Sequence, residues 1–158
     1  MNINTHPTVF FEQITAIHQN THFPVSTKYK ELRTLLERIA KELTQNETLR
    51  FTNLQARLTF ICNQHSLSNK IQGVRAFANK VVHDGIVPEM EQYQTHLKHL
   101  CEFVSGAFHV SIPQTLKDDF PQVEYHAPQN YFISNNVLRS LRVQVLSVED
   151  NKLWCIPT

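Results

Sequence analysis

The chain has 158 residues and nearly balanced charges, with 15 Lys and Arg against 14 Asp and Glu and a formal net charge of +1. Its three glycines, Gly73, Gly85 and Gly106, are widely spaced, where average usage would give roughly 11. No P-loop, dinucleotide fingerprint or nucleophile elbow can be formed with them, which excludes a complete nucleotide hydrolase. The near-zero net charge also disfavours a protein that coats nucleic acid by bulk electrostatics.

The first 110 residues are predicted to be helical. Apolar side chains at steps of three and four predict helices near residues 9–17, 27–43, 53–65, 68–84 and 88–108. Thr52 or Asn53 can cap the third helix and Ser68 the fourth, and Gly85 suits a left-handed C-terminal cap. Short connections favour antiparallel neighbours. The predicted fold class is therefore mainly α, an antiparallel bundle of about five helices over residues 1–110.

The remainder of the chain has a different pattern. Residues 111–136 contain several prolines and no clear period, which predicts an irregular linker. Within residues 137–158, the alternation of Leu141, Val143 and Val145 predicts a strand, and Leu153–Ile156 predicts a returning one. Because an isolated hairpin is marginal in water, we expect this β-hairpin, or small β extension, to begin a following domain of a longer chain.

Cysteine usage and hydropathy indicate the compartment. Cys62, Cys101 and Cys155 are far apart and form no CxxC pair, so neither a disulfide scaffold nor a zinc ribbon is indicated. The first 13 residues lack a signal-peptide pattern, and no apolar run has transmembrane length. We therefore expect a soluble, cytoplasmic protein with no membrane partner.

One row of residues on the fourth predicted helix has side chains that could bind a ligand or take part in catalysis. Arg75, Asn79 and His83 recur every four positions, so each is offset from the previous one by about 40° and rises about 6 Å. Lys80 adds a second cation beside the row. An imidazole can serve as a general acid or base, and a guanidinium can stabilise phosphate charge. The row therefore predicts contact with a nucleic acid or a similar ligand.

Together with the segment Leu32-Arg33-Thr-Leu-Leu36-Glu37 of the second helix, this row resembles the HEPN superfamily of helical domains. The resemblance covers about residues 25–108 and is strongest for an uncharacterised bacterial branch with an Arg, Asn and His pattern. It implies a helical bundle that often pairs with itself through the motif-bearing helices. It also implies attachment to a nucleic-acid-processing protein, such as a helicase or nuclease, whose motor would lie beyond Thr158.

The match to the ribonucleases of this superfamily is incomplete. Asn79 matches their polar position and His83 their histidine, but Ala78 stands where the arginine is expected and Arg75 lies one turn earlier. This departure argues against metal-independent RNA cleavage. We therefore expect a non-catalytic N-terminal accessory domain that mediates association or positions nucleic acid. The expected nucleic-acid-binding residues are Arg75, Asn79, Lys80 and His83, with no cofactor.

Three alternatives remain at this point. The first is a small ribonuclease, assembled across a dimer, that uses His83 with Asn79 and Arg75. The second is a pure dimerisation module with no nucleic-acid partner. In the third, Asn79 and His83 are buried polar residues that bond carbonyls of adjoining helices. The partners expected across these interpretations are a second copy, RNA or DNA, and downstream domains of the same chain.

Two histidine pairs also suit metal ligation by their spacing. His96 and His99 lie three residues apart on the fifth helix, and His18 and His22 lie four apart near the first. No third ligand is identifiable near either pair, so we expect surface histidines and no metal site.

Overall fold

The computed structural model describes residues 6–125 and, as backbone, the strands at residues 143–147 and 154–157. Contacts between Cα atoms divide the chain into two units, Met1–Tyr125 and His126–Thr158. Among the described residues, no helix combines the length and the apolar character needed to cross a membrane.

The described part of the first unit is a bundle of six helices. They are α1 (Thr8–His18), α2 (Val25–Leu43), α3 (Leu54–His65), α4 (Lys70–Asp84), α5 (Met90–Phe108) and α6 (Gln114–Lys117). The predicted mainly helical fold is therefore confirmed.

Local sequence explains where these helices begin and end. The Asn53 side chain accepts a hydrogen bond from the Ala56 amide at 2.8 Å, which caps α3 as predicted. Gly85 ends α4 with φ +66°, in the left-handed region that favours glycine. The start of α4 differs from the prediction, because Asn69, not Ser68, is its N-cap and makes no side-chain capping bond.

The core forms around α2, which packs against α1, α3, α4 and α5. Each helix contributes one apolar stripe, as expected for amphipathic helices whose buried residues recur at steps of three and four. The largest fully buried side chains are Ile14, Tyr29, Leu36, Ile39, Leu58, Ile61, Ile71, Tyr93, Leu97, Leu100, Val104 and Leu116.

The described residues after α5 differ from the predicted linker. Leu116 of α6 is fully buried, and Ile112 and Phe120 pack against the same core. The Tyr125 amide donates a hydrogen bond to Oγ1 of Thr95 on α5 at 2.8 Å. The apolar residues recur at 112, 116 and 120, but prolines at 113 and 121 interrupt the segment, so its helical period is hard to recognise. Residues 111–125 therefore pack on the bundle.

The second unit contains two assigned strands, β1 (Val143–Ser147) and β2 (Trp154–Pro157). They pair antiparallel, with Val145 opposite Cys155 and a register shift between Val145 and Ser147. The rest of the predicted linker, residues 126–136, and the turn between the strands lie outside the described residues. The hairpin as the start of a following domain stays a prediction.

Candidate functional site

The row Arg75, Asn79 and His83 turns progressively away from the core. The buried face of α4 is formed by Ile71, Val74, Ala78 and Val81. Because each step of four residues advances the row by about 40°, Arg75 lies at the edge of that face and His83 nearly opposite it. Arg75 and Asn79 are accordingly half-buried, whereas His83 is exposed.

Asn79 joins α4 to α2. Its Oδ1 accepts a hydrogen bond from Nε of Arg33 at 2.5 Å, and the Arg33 guanidinium also lies 3.4 Å from the Glu37 carboxylate. Asn79 thus bonds an adjoining helix, as the third alternative expected. The bond is to a side chain and not to a main-chain carbonyl. Arg33 and Asn79 lie on two separate helices, so their link depends on how α2 and α4 pack.

Arg75 has a different set of neighbours. Its Nε donates to Oε1 of Gln72 at 2.8 Å. Gln72 donates in turn to the Gln55 carbonyl at 3.0 Å and to Oγ1 of Thr59 at 3.1 Å, both on α3. Arg75 is therefore directed toward α3, while Asn79 is directed toward α2. In the described part of the chain, no hydrogen bond or ion pair links Arg75, Asn79 and His83 to one another.

His83 and Lys80 are both exposed on α4. Within residues 6–125, His83 has no hydrogen-bond or ion-pair partner. The structure therefore does not place His83 in the buried position, bonded to the main chain, that the third alternative requires. Its imidazole is open to solvent and to any molecule that approaches this end of α4.

Several apolar side chains that follow one another closely along the sequence are exposed where the chain leaves α4 and enters α5. Four side chains, which we call the apolar corner, are exposed here: Val82 by 39%, Ile86 by 38%, Val87 by 87% and Met90 by 50%. Monomeric proteins rarely leave several large apolar groups together in water, and such patches often mark interaction sites. Met90 lies within the fifth predicted helix, near residues 88–108, and the helical pattern alone does not identify its exposure.

The charges around the apolar corner are mainly negative. Between residues 80 and 91, Lys80 is the one lysine or arginine, whereas Asp84, Glu89 and Glu91 carry carboxylates, and all four side chains are exposed. A phosphate backbone is attracted by clusters of Lys and Arg. This end of α4 therefore lacks the charge expected of a nucleic-acid-binding surface.

Of the four histidines predicted to lie on the surface, His22 is exposed, whereas His18, His96 and His99 are half-buried. His96 is half-buried, and its Nδ1 shares a hydrogen bond of 2.5 Å with the Tyr29 hydroxyl. Burial, and then the neighbouring His99, lower the pKa of His96 to about 4. His18 bonds the Tyr93 hydroxyl through Nδ1 at 2.9 Å and Asp119 through Nε2 at 2.7 Å. The interpretation of His96 and His99 as a surface pair is wrong.

One group in the described residues has the composition of a metal site. Donor atoms of His99, Glu102 and Glu124 lie within 4.8 Å of one another. His96, the expected partner of His99, is not part of this group. Sequence reasoning missed Glu124 because it lies far along the chain, in the segment predicted to be a linker. The sequence does show that His99 and Glu102 are three residues apart and therefore share one face of a helix.

Comparisons with known proteins add no family assignment. No family model matches the chain, and neither the curated proteins nor the solved structures that were searched contain a match.

Proposed function

We propose that the helical unit is a non-catalytic accessory domain that associates with a second copy of itself through the apolar corner. The observation that carries this proposal is the exposure of Val82, Ile86, Val87 and Met90 within nine residues at one end of α4. Removing such side chains from water stabilises an interface by about 25 cal/mol for each Å² of apolar area. Association is the simplest way to cover this surface.

Charge favours a protein partner over nucleic acid at this surface. Lys80 is opposed by three nearby carboxylates, and Arg75 and Asn79 already have partners on neighbouring side chains. Of the four expected nucleic-acid-binding residues, only Lys80 and His83 are exposed. A phosphate contact by two residues in an acidic setting would be weak and strongly dependent on salt.

The HEPN resemblance supports the same proposal. It rests on the segment Leu32–Glu37 together with Arg75, Asn79 and His83, and it implies self-pairing through the helices that carry the motif. The apolar corner lies at the end of α4, directly beside His83. In this proposal the parent is a larger nucleic-acid-processing protein of the helicase type, and the β-hairpin at residues 137–158 begins its next domain.

We propose a non-catalytic role because Arg75, Asn79 and His83 do not come together at one site. A phosphodiester cleavage site needs a proton-transfer group and a group that stabilises developing charge at the same phosphate. His83 is exposed, but the guanidinium of Arg75 bonds Gln72 and the amide of Asn79 bonds Arg33. His83 alone supplies only the first of these functions.

The test of the association surface is a change of one exposed apolar residue. In light scattering after size exclusion, we expect the full chain to self-associate and Val87→Asp to weaken the association at least about tenfold, which corresponds to roughly 1.4 kcal/mol. Val123→Asp is the matched control, because Val123 is 83% exposed and lies outside the apolar corner. A monomeric wild-type chain, or equal association of both variants, would show that this surface is not the interface.

The ribonuclease alternative is favoured by one observation, the exposure of His83. It is tested by incubating the full chain with single-stranded RNA beside a His83→Ala variant. We expect no cleavage by either protein. Cleavage by the wild-type chain that disappears in His83→Ala would replace the accessory role with a catalytic one.

A further inference from the structure

A cavity separate from the α4 row lies between α5 and the start of α4. It has a volume of about 230 Å³ and is lined by Ser66, Leu67, Ser68, Lys70, Ile71, His99, Glu102 and Phe103. His99 and Glu102 are three residues apart on α5, so they share one face of that helix. Two groups that can ligate a metal therefore line one cavity.

Glu124 brings a third donor to the same place. Its Oε2 lies 3.3 Å from Nε2 of His99, and the donor atoms of His99, Glu102 and Glu124 all lie within 4.8 Å of one another. Three ligands around a tetrahedral ion at about 2.1 Å are separated by roughly 3.4 Å. Small rotations of the Glu102 and Glu124 side chains close the remaining gap.

A second observation concerns Nε2 of His99. This atom is covered from solvent, and the carboxylate oxygen Oε2 of Glu124 lies 3.3 Å from it without the geometry of a regular hydrogen bond. Buried polar atoms without a well-formed hydrogen bond are uncommon in native proteins. A cation placed between Nε2 and Oε2 would give both atoms a direct ligand bond.

We propose that Nε2 of His99, the Glu102 carboxylate and Oε2 of Glu124 bind a divalent cation of the zinc type. The donor set, one imidazole nitrogen and two carboxylate oxygens, matches the ligands that Zn²⁺ accepts. With three protein ligands, a fourth coordination position remains open to water or to another ligand. Glu102 is exposed, so one ligand of the cluster is in contact with solvent.

Two nearby lysines, Lys98 and Lys70, contact Glu124 and would affect how it binds a metal ion. Lys98 donates to Oε1 of Glu124 at 2.9 Å, so it holds the oxygen that faces away from His99. Such outer hydrogen bonds orient the carboxylates that ligate metals.

Lys70 competes with the cation for the Glu124 carboxylate. Its Nζ lies 3.8 Å from Oε2 of Glu124, the oxygen that would ligate the metal. Because Lys70 is exposed and has a long, flexible side chain, it can turn into solvent when a cation arrives. Replacing this ammonium with a neutral side chain is therefore expected to tighten metal binding.

The test is a calorimetric titration of the full, chelator-treated chain with ZnCl₂. We expect one high-affinity ion per chain and a loss of at least about tenfold in affinity in Glu102→Gln, while Lys70→Gln binds more tightly. Glu91→Gln is the matched control, because Glu91 is another exposed glutamate on α5 and lies outside the cluster. Glu102 is exposed, so its substitution leaves the folded chain intact, which circular dichroism verifies.

His99 itself is followed by NMR, since its imidazole resonances should shift on addition of Zn²⁺ and should not shift in Glu102→Gln. Equal zinc affinity in Glu102→Gln and Glu91→Gln, or unshifted His99 resonances at saturation, would overturn the proposal. These results are independent of the Val87→Asp test, because the metal cluster and the apolar corner share no residue.

Discussion

His83 on α4 and His96 on α5 show how differently one residue type is placed by two helices of the same bundle. His83 is exposed and has no partner among residues 6–125, whereas His96 is half-buried and bonded to Tyr29. The sequence pattern singled out the first as a functional group and placed the second on the surface. Spacing along a helix shows which residues share a face, but the neighbouring helices decide whether that face meets solvent.

The position of each histidine around its helix explains the difference. His96 directly precedes the fully buried Leu97 and lies against the Tyr29 ring of α2, with ring centroids 5.6 Å apart. Around the axis of α4, His83 points about 160° away from the mean direction of the buried residues Ile71 and Val81. Burial then sets the chemistry of His96, because it lowers the pKa of this imidazole and keeps it neutral at neutral pH.

The largest expected effect comes from removing the buried histidine. His96→Ala should lower the free energy of unfolding by about 3 kcal/mol, because it leaves a cavity and an unpaired Tyr29 hydroxyl. His83→Ala should change it by less than about 0.5 kcal/mol, as for other exposed side chains. Urea denaturation of both variants measures the contrast, and equal losses would remove the distinction between the two histidines.

The next effect is a dependence of stability on pH. The pKa of His96 is about 4 in the folded chain and 6.5 without burial, so the unfolded chain binds a proton first as the pH falls. The contribution of His96 to stability is therefore fully present above pH 6.5 and should decrease by about 2 kcal/mol between pH 6.5 and 4.5.

His96→Gln keeps an acceptor for Tyr29 but does not titrate, so this decrease should be about 2 kcal/mol smaller in the variant. Glu124 does not interfere in that range, because its stabilising charge is lost only as the pH falls from 4.5 toward about 2. The same slope in His96→Gln and in the wild-type chain would assign the pH dependence to other groups.

The smallest effect concerns Asn79. A double-mutant cycle of Asn79→Ala and Arg33→Ala should give a coupling energy of about 1 kcal/mol, since the two side chains share a half-buried, charge-assisted hydrogen bond. Thermal unfolding of the four proteins provides the measurement. Additive losses would mean that Asn79 does not serve to join α4 to α2, and its amide would then be available for a ligand.

The helices could be predicted from sequence because each carries a strong local signal. The stripe of α2, the Asn53 cap and Gly85 depend on residues within a few positions of one another. The short α6 could not be predicted, because prolines interrupt its flanks and its burial depends on Leu116 meeting distant helices. The same limit applies to the site, since the link from Arg33 to Asn79 joins two separate helices.

The proposed metal cluster illustrates this limit further. His99 and Glu102 could be seen as neighbours on a helix, but Glu124 comes from the segment after α6. The Thr95 bond to the Tyr125 amide and the Lys98 bond to Glu124 fold that segment back onto α5. No periodicity in the sequence predicts contacts of this kind.

His18 has a consequence for how the bundle holds together. Its two ring nitrogens bond Tyr93 and Asp119, residues 75 and 101 positions away along the chain. One imidazole thus connects the last turn of α1, the first turn of α5 and the residues that follow α6. This imidazole therefore links the beginning of the described helical unit to its end, beside the ring contact between Phe10 and Phe108. A shortened chain that stops near residue 110 would lose the bond from His18 to Asp119 and is expected to weaken the packing of the first helix, although the deletion lies far along the sequence.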